Sequence, residues 1–157
     1  MGMYKDLMYL ELADRNAKQG TGCLKVDVGC IITNQAGTIL GEGVNTSNPC
    51  CKDKGICHRI ELYGENSKLH RLPSDCNSVH SEINAIIDAG RKGKSCEGGI
   101  AYITRYPCEA CARALVQAGI KKVVYGRTQE ISELTKEILK GVKVVWRKDW
   151  DSKDVID

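Results

Sequence analysis

Apolar residues recur every three to four positions between residues 3 and 19, which predicts a helix that ends at the glycines that follow. Residues 26–33 (VDVGCIIT) then predict a mostly buried strand. The turn NQAG at 34–37 leads into TILGEGVN at 38–45, which predicts the second strand of a hairpin. The chain is therefore expected to open with a helix followed by a β-hairpin.

From residue 80 onward, helical and strand patterns alternate. Helices are predicted at 80–90, 107–118 and 131–140, and strands are predicted at 99–104, 121–126 and 142–146. The order after the first helix is ββαβαβαβ. This order predicts an α/β fold in which a mixed sheet begins with a hairpin and continues through right-handed crossovers.

Residues 46–79 interrupt this regularity. The segment carries four cysteines and two histidines, and it has no sustained periodicity. A loop of this length inside a compact domain usually serves a function or is held by a metal. We therefore expect one domain over residues 1–157 with a Cys/His-rich insertion at about 46–79.

Composition is that of an ordinary globular protein, with 42% hydrophobic and 27% charged residues. No apolar run is long enough for a membrane span. A net charge of +3 is too mild to indicate a nucleic-acid or membrane surface. The nine cysteines are an odd number, and the start of the chain has no secretory signal, which favours free thiols in a reducing, cytoplasmic compartment.

The candidate chemistry lies at two predicted helix starts. His80 and Glu82 open one helix, and Cys108 and Cys111 open another. Taken alone, the Cys-x-x-Cys pair equally suits a redox site or two core thiols. Together, one histidine and two cysteines make three zinc ligands and leave the fourth tetrahedral position open for water, as in catalytic sites.

Glu82 completes this pattern because a carboxylate beside such a water can take its proton and pass it to a ring nitrogen and then to a departing amine. Positions two apart lie on different sides of a helix, so His80 and Glu82 can share a pocket only over the open N-terminal end of that helix. The pattern H-x-E…P-C-x-x-C is typical of zinc nucleobase deaminases.

The chain resembles the deoxycytidylate (dCMP) deaminase family, within the cytidine-deaminase-like superfamily, over roughly residues 21–126. The segments that carry the resemblance are TGCLKVDVGCIIT, GEGVN, VHSEINAI and YITRYPCEACARALVQAGIKKVVYGR. It implies a three-layer α/β/α sandwich with a central mixed five-stranded sheet, a catalytic zinc on His80, Cys108 and Cys111, and Glu82 as the proton shuttle. It also implies conversion of dCMP to dUMP and ammonia by a homo-oligomer, usually a hexamer. The cysteine-rich insertion points to a phage or a bacterium, and a viral member would act in the host cytoplasm.

The same resemblance suggests substrate contacts. Asn45, in GVN, is expected near the sugar hydroxyl, and the backbone N–H of Ser81 is expected at the pyrimidine carbonyl. Tyr106 can stack on the base, although core packing explains it equally well, and Asn45 also suits an ordinary turn. The candidates for phosphate contacts are three arginines: Arg59, Arg91 and Arg105.

One segment departs from the family. After Asn45 the sequence reads TSNPCCKDKG, where relatives have a glycine and then Cys-Ser-Asp-Asp in the path to the residues that bind dCTP or dTTP. This departure argues against activation by dCTP and inhibition by dTTP. If a nucleotide effector does bind, Mg²⁺ is the ion expected to accompany it. A deaminase that accepts dCTP as well as dCMP is therefore an alternative.

The cysteines and histidines of the insertion predict a second, structural zinc. Some members of the family, phage ones among them, carry such a zinc, and the match favours Cys23, Cys50 or Cys51, His70 and Cys76 as ligands. Four such ligands make a closed tetrahedral site that would keep a long polar loop ordered. The alternative is that these are scattered buried thiols.

Two other functions remain open. A tRNA or single-stranded DNA deaminase would need a basic channel and aromatic platforms, whereas aromatic residues make up only 5% of this chain. A zinc-finger-like binding module would account for the cysteines but would leave Glu82 unexplained. We therefore expect a small-molecule partner, a deoxycytidine nucleotide, and neither a nucleic acid nor a membrane.

Overall fold

The structure is a computed structural model that describes residues 2–64 and 76–153, with side chains up to residue 150. Within these residues the chain forms five strands and seven helices. In chain order they are α1 (Gly2–Gly20), β1 (Gly29–Thr33), β2 (Ile39–Val44), α2 (Cys51–Lys54), α3 (His58–Tyr63), α4 (Ser81–Arg91), β3 (Ile100–Arg105), α5 (Glu109–Gln117), β4 (Lys122–Arg127), α6 (Glu133–Ile138), β5 (Lys143–Trp146) and α7 (Lys148–Lys153). None of these helices combines the length and the apolar character that crossing a membrane requires.

The five strands form one mixed sheet in the order β2-β1-β3-β4-β5. β1 runs antiparallel to β2 and to β3, whereas β4 runs parallel to both β3 and β5. In the centre of the sheet, Ile31 of β1 is opposite Tyr102 of β3, which is opposite Val124 of β4. The predicted hairpin followed by crossovers is confirmed.

Side chains alternate across this sheet and bury one core on each face. On one face, Cys30 and Ile32 pack with Ala85 of α4 and Leu115 of α5. On the other face, Ile31 packs with α1 and with Trp150 of α7. The sheet thus lies between two helical layers, which confirms the predicted three-layer sandwich.

The layer that contains α4 lies unusually close to β2. A Cβ on Gly43 would lie 2.2 Å from the backbone oxygen of Ser81 and 2.4 Å from the backbone nitrogen of Ala85. Real Cβ atoms do not approach other atoms so closely, so only glycine lets the helix pack here. This contact fixes the height of the start of α4 above the sheet.

β1 begins at Gly29 and not at residue 26, where the sequence pattern placed the strand start. The side chain of Asn45 explains the difference. Its Oδ1 accepts a hydrogen bond from the Val28 nitrogen at 2.9 Å, and its Nδ2 donates to the Val26 carbonyl at 3.0 Å. These backbone groups are therefore paired with a side chain and not with a neighbouring strand.

Three short helices were not predicted. α2 and α3 lie in the insertion, which was expected to be a loop, and backbone hydrogen bonds between Thr46 and Val79 close its base. α7 follows β5 and buries Trp150, whose ring occupies the space that a Cβ on Gly126 would need. Each of the three spans only four to six residues, which leaves little room for a periodic apolar face; α6 is equally short, but the pattern that predicted it extends over 131–140, beyond the helix itself.

Candidate metal centre and pocket

Two helix starts converge at the candidate site. His80 is the N-cap of α4 and Cys108 is the N-cap of α5, and both have extended backbone conformations. Cys111 lies one turn into α5 and is fully buried. The first N–H groups of a helix have no partner within the helix, and the helix dipole favours negative charge there. The two helices therefore present ligands and a favourable field for thiolates at one point.

The distances between the three ligand atoms suit a tetrahedral zinc ion. Sγ of Cys108 lies 3.5 Å from Nδ1 of His80, and Sγ of Cys111 lies 3.3 Å from the same atom. Zinc bonds of roughly 2.3 Å to sulfur and 2.0 Å to nitrogen place two tetrahedral ligands about 3.5 Å apart. Within the described residues, this is the one set of three or more such side chains whose ligand atoms all lie within 4.8 Å of one another. The donor set fits a zinc ion with one open position.

The pKa values of the three ligand side chains are shifted in different directions. A hydrogen bond with Cys111, aided by one with His80, lowers the pKa of the Cys108 thiol to about 4. The same contact with Cys108, followed by burial, raises the pKa of Cys111. The hydrogen bond to Cys108 also raises the pKa of His80, against the opposing effects of burial and of the nearby Arg59 charge. Metal binding requires deprotonated ligands, so it would release protons from Cys111 and His80.

Glu82 is buried beside these ligands, with 4% of its surface exposed. Oγ of Ser81 donates a hydrogen bond of 2.6 Å to Oε1 of Glu82, and Ser81 is itself fully buried. The Glu82 carboxylate also contributes to the raised pKa of Cys111, after Cys108 and burial. A carboxylate that is shielded from bulk water and held by a neighbouring hydroxyl is well placed to accept and return a proton.

A cavity of about 310 Å³ opens over these two helix starts. His80, Ser81, Glu82 and Cys108 all line it, so the pocket lies over the N-terminal end of α4, where the two-residue spacing placed it. The residues expected to contact substrate line the same cavity: Asn45, Tyr106, Arg105 and Arg59. Arg91, the third candidate for a phosphate contact, lies exposed at the far end of α4 and is not among the lining residues.

Two of these residues also have structural contacts. Oδ1 of Asn45 accepts a hydrogen bond from Thr21 at 2.9 Å in addition to the bond from Val28, so its side chain joins the segment before β1 to the end of β2. Tyr106 packs edge-on against Tyr125, with ring centroids 4.9 Å apart. Their expected contacts with the sugar and the base remain predictions.

The residues proposed for a second metal are only partly within the described structure. Cys23 and Cys76 line the cavity, and Cys50 is buried against Gly22. The alternative ligand, Cys51, also lines the cavity. His70 lies outside the described residues.

Sequence reasoning did not single out several polar residues of the pocket wall, among them Lys25, Ser78 and Gln129. Nε2 of Gln129 donates to the Tyr106 carbonyl at 2.7 Å, which ties the loop after β4 to the zinc-ligand segment. These residues come from segments far apart in the chain. No local spacing could have grouped them.

An open His/Cys/Cys site beside a buried glutamate is the arrangement of the zinc nucleobase deaminases, and this is the class that the fold and the site define. Residues 3–127 match the family model of the cytidine and deoxycytidylate deaminase zinc-binding region. The chain belongs to this family.

Curated relatives include several deoxycytidylate deaminases. The chain is 43% identical over 82 residues to that of Enterobacteria phage T2, a match that covers 52% of this chain and 44% of the phage protein. It is 28% identical over 145 residues to that of Saccharomyces cerevisiae, covering 91% of this chain and 44% of the yeast protein. The chain thus spans less than half the length of these relatives.

Solved structures share the fold. The dCMP deaminase of the cyanophage S-TIM5, crystallised in complex with dCMP and dUMP, superposes with a TM-score of 0.63 at 25% identity, covering 88% of this chain and 93% of that one. A structure from work on tRNA:A34 deaminases superposes with a TM-score of 0.57 at 19% identity, a likeness that concerns the fold alone.

Proposed function

We propose that this protein is a zinc-dependent deaminase that converts dCMP to dUMP and ammonia. The observation that carries the proposal is Glu82, buried beside the His80, Cys108 and Cys111 set and lining the same pocket. A structural zinc site would have no need of a buried carboxylate at an open position. The phage and yeast relatives named deoxycytidylate deaminase support the choice of dCMP.

In the proposed reaction, each residue of the pocket has a separate role. Zinc, when bound, supplies the activation of a water molecule by lowering its pKa towards neutrality. Glu82 takes one proton from the attacking water and delivers it to the ring nitrogen. It then takes the second proton from the hydroxyl group that the water has become and delivers that proton to the departing amine. Ser81 holds one carboxylate oxygen through its 2.6 Å hydrogen bond, which restricts Glu82 to a single orientation. The water oxygen becomes the new carbonyl, and the amino group leaves as ammonia.

Ammonia release from a substrate panel tests this proposal. Zinc-loaded protein should deaminate dCMP, and dCTP in the panel distinguishes a monophosphate enzyme from one that accepts both. A tRNA anticodon stem-loop and a single-stranded DNA oligonucleotide test the nucleic-acid alternative, which the balanced charge of the chain disfavours. Turnover of an oligonucleotide without turnover of dCMP or dCTP would overturn the proposal.

We also propose a second, structural zinc in the insertion, with Cys23, Cys50 or Cys51, His70 and Cys76 as ligands. Cys23 and Cys76 support it because they lie in the wall of one cavity although 53 positions separate them in the chain. A closed metal site would join the segment before β1 to the two sides of the insertion.

A further proposal concerns assembly and location. We infer that the protein acts in the cytoplasm, of the host if it is viral, as a homo-oligomer, with a hexamer favoured. The outer face of α1 supports self-association because Met3, Tyr4 and Met8 are 48%, 79% and 58% exposed there. Large apolar side chains that share an exposed face are typical of contact surfaces.

A further inference from the structure

A linker of two residues, Tyr106 and Pro107, joins the end of β3 to Cys108, the proposed zinc ligand that is the N-cap of α5. The Tyr106 nitrogen donates to the Arg127 carbonyl of β4 at 2.9 Å. Pro107 has no backbone N–H, so a carbonyl is the only hydrogen-bonding group of the peptide between Tyr106 and Pro107. The partner of that carbonyl therefore decides how this peptide is held.

The partner is the side chain of Gln129, whose Nε2 donates to the Tyr106 carbonyl at 2.7 Å. Gln129 lies in the β4–α6 loop, residues 128–132, and it also lines the pocket. The residue is exposed. Ordering a long exposed side chain costs about as much conformational free energy as one hydrogen bond returns, so this bond adds little to the stability of the fold. Its main effect is to fix the position of the linker.

The same loop also contacts the chain on the other side of Cys108. Oγ of Ser132 donates to Oε1 of Glu109 at 2.9 Å. Cys111 lies within α5, whereas Cys108 precedes the helix and has an extended backbone. The position of the Cys108 thiol, 3.5 Å from Nδ1 of His80, therefore depends on the linker and on the loop that holds it.

We propose that Gln129 is a positioning residue for Cys108, and that it acts through the Tyr106 carbonyl to fix where the Cys108 thiol lies in the metal site. The inference rests on the proposed function for its effect on turnover, whereas its effect on metal binding does not involve the substrate. Groups that orient metal ligands contribute roughly 10–100-fold to metal affinity. Because Gln129 acts through a peptide group and not on the thiol itself, we expect an effect near the lower of these values.

Zinc affinity provides the primary test, measured by competition with a chelator. Gln129→Met keeps the length of the side chain and removes the donor, so zinc affinity should fall roughly 10-fold. Gln35→Met is the matched control, because Nε2 of Gln35 donates to the Gly98 carbonyl at 2.8 Å and Gln35 is also exposed but lies outside the pocket lining. The control should bind zinc as the wild type does. Equal zinc affinities in Gln129→Met and the wild type would overturn the inference.

Co²⁺ in place of zinc gives a spectroscopic readout, because its absorption bands depend on the geometry of the ligands. The bands should shift in Gln129→Met and keep their wild-type positions in Gln35→Met. If Gln129→Met does not fold, Gln129→Asn serves the same comparison, since it draws the amide back from the Tyr106 carbonyl by one carbon. Identical spectra in the wild type and in the Gln129 variant that folds would contradict a positioning role.

Kinetics with dCMP separate positioning from substrate contact, since Gln129 also lines the pocket. At saturating zinc, Gln129→Met should lower kcat roughly 10-fold with little change in KM, because a displaced ligand affects the reaction more than substrate binding. A raised KM with an unchanged kcat would make Gln129 a substrate contact and overturn the inference.

The zinc measurements also distinguish this inference from the proposed function. A wild-type protein that loses zinc affinity on Gln129→Met substitution but does not deaminate dCMP would refute the proposed function and leave the positioning role intact. A dCMP deaminase whose zinc affinity and Co²⁺ spectrum are unchanged in Gln129→Met would refute the positioning role alone.

Discussion

Replacement of Glu82 tests the proposed proton transfer while leaving the structure of the site in place. Glu82→Gln keeps the size of the side chain and an oxygen that can accept the Ser81 hydrogen bond, but it cannot take up a proton. We expect folded protein with its catalytic zinc and at least about 10²-fold less ammonia release at saturating dCMP. The measurement combines steady-state kinetics with metal analysis of the same sample.

Glu133→Gln is the matched control for this substitution. Glu133 is exposed on α6, where it pairs with Lys136, and it does not line the pocket. Its replacement should leave turnover unchanged. Near-normal turnover in Glu82→Gln would remove Glu82 from the proposed mechanism.

At the scale of elements, the packing of α4 on β2 supports the site. Gly43→Ala would place a Cβ against the backbone of Ser81 and Ala85, and because both contacts are backbone, the helix itself must move. We expect the free energy of unfolding to fall by about 1–3 kcal/mol. Zinc affinity should also fall, because His80 precedes the displaced first turn. Urea denaturation and zinc titration of the same protein measure the two effects.

Gly90→Ala provides the contrast within the same helix. A Cβ at Gly90 meets nothing within 4 Å, so alanine adds helix propensity without a clash. We expect Gly90→Ala to raise the free energy of unfolding by up to about 1 kcal/mol. Equal stabilities for the wild type and Gly43→Ala would show that α4 tolerates displacement from the sheet.

The insertion is the second element that a measurement can test. Protein never exposed to chelator should contain about two zinc ions per chain, one catalytic and one structural. Cys108→Ser should abolish activity and leave the fold mostly intact. His70→Ala should instead loosen the insertion, which limited proteolysis detects, because metal binding there contributes to folding. One zinc ion per chain in the wild type would return Cys23, Cys50 and Cys76 to the interpretation of separate buried thiols.

The elements that sequence reasoning found and missed differ in a physical way. The five strands and the long helices repeat their apolar positions over several residues, so their order could be predicted from the chain alone. α2, α3 and α7 are short, and their positions depend on contacts such as that of Trp150 with Gly126. The zinc-ligand motif is local in sequence, whereas the wall that includes Lys25 and Ser78 exists only once distant segments have met.

At the scale of the whole molecule, we expect the protein to assemble as a homo-oligomer. Sedimentation should give a particle several times the 17.3 kDa mass of the chain, with six copies as the favoured number. Met8→Glu should weaken the assembly because it places a charge on the apolar outer face of α1. Gln19→Glu, which adds the same charge at an exposed position of α1 outside that apolar group, provides the control. A monomer at micromolar concentration would contradict the prediction.

The two helical layers of the sandwich differ in their contribution to the pocket. Every lining residue of the pocket comes from the α4 and α5 side or from the segments that surround it, and within the described residues none comes from α1 or α7. Over evolutionary time, substitutions beneath α1 and α7 can therefore change thermal tolerance without redirecting substrate choice. Substitutions in the α4 and α5 layer, in contrast, can alter both properties. In a saturation library screened for thermal tolerance and for substrate choice, the variants that change substrate choice should therefore lie on that side of the sheet.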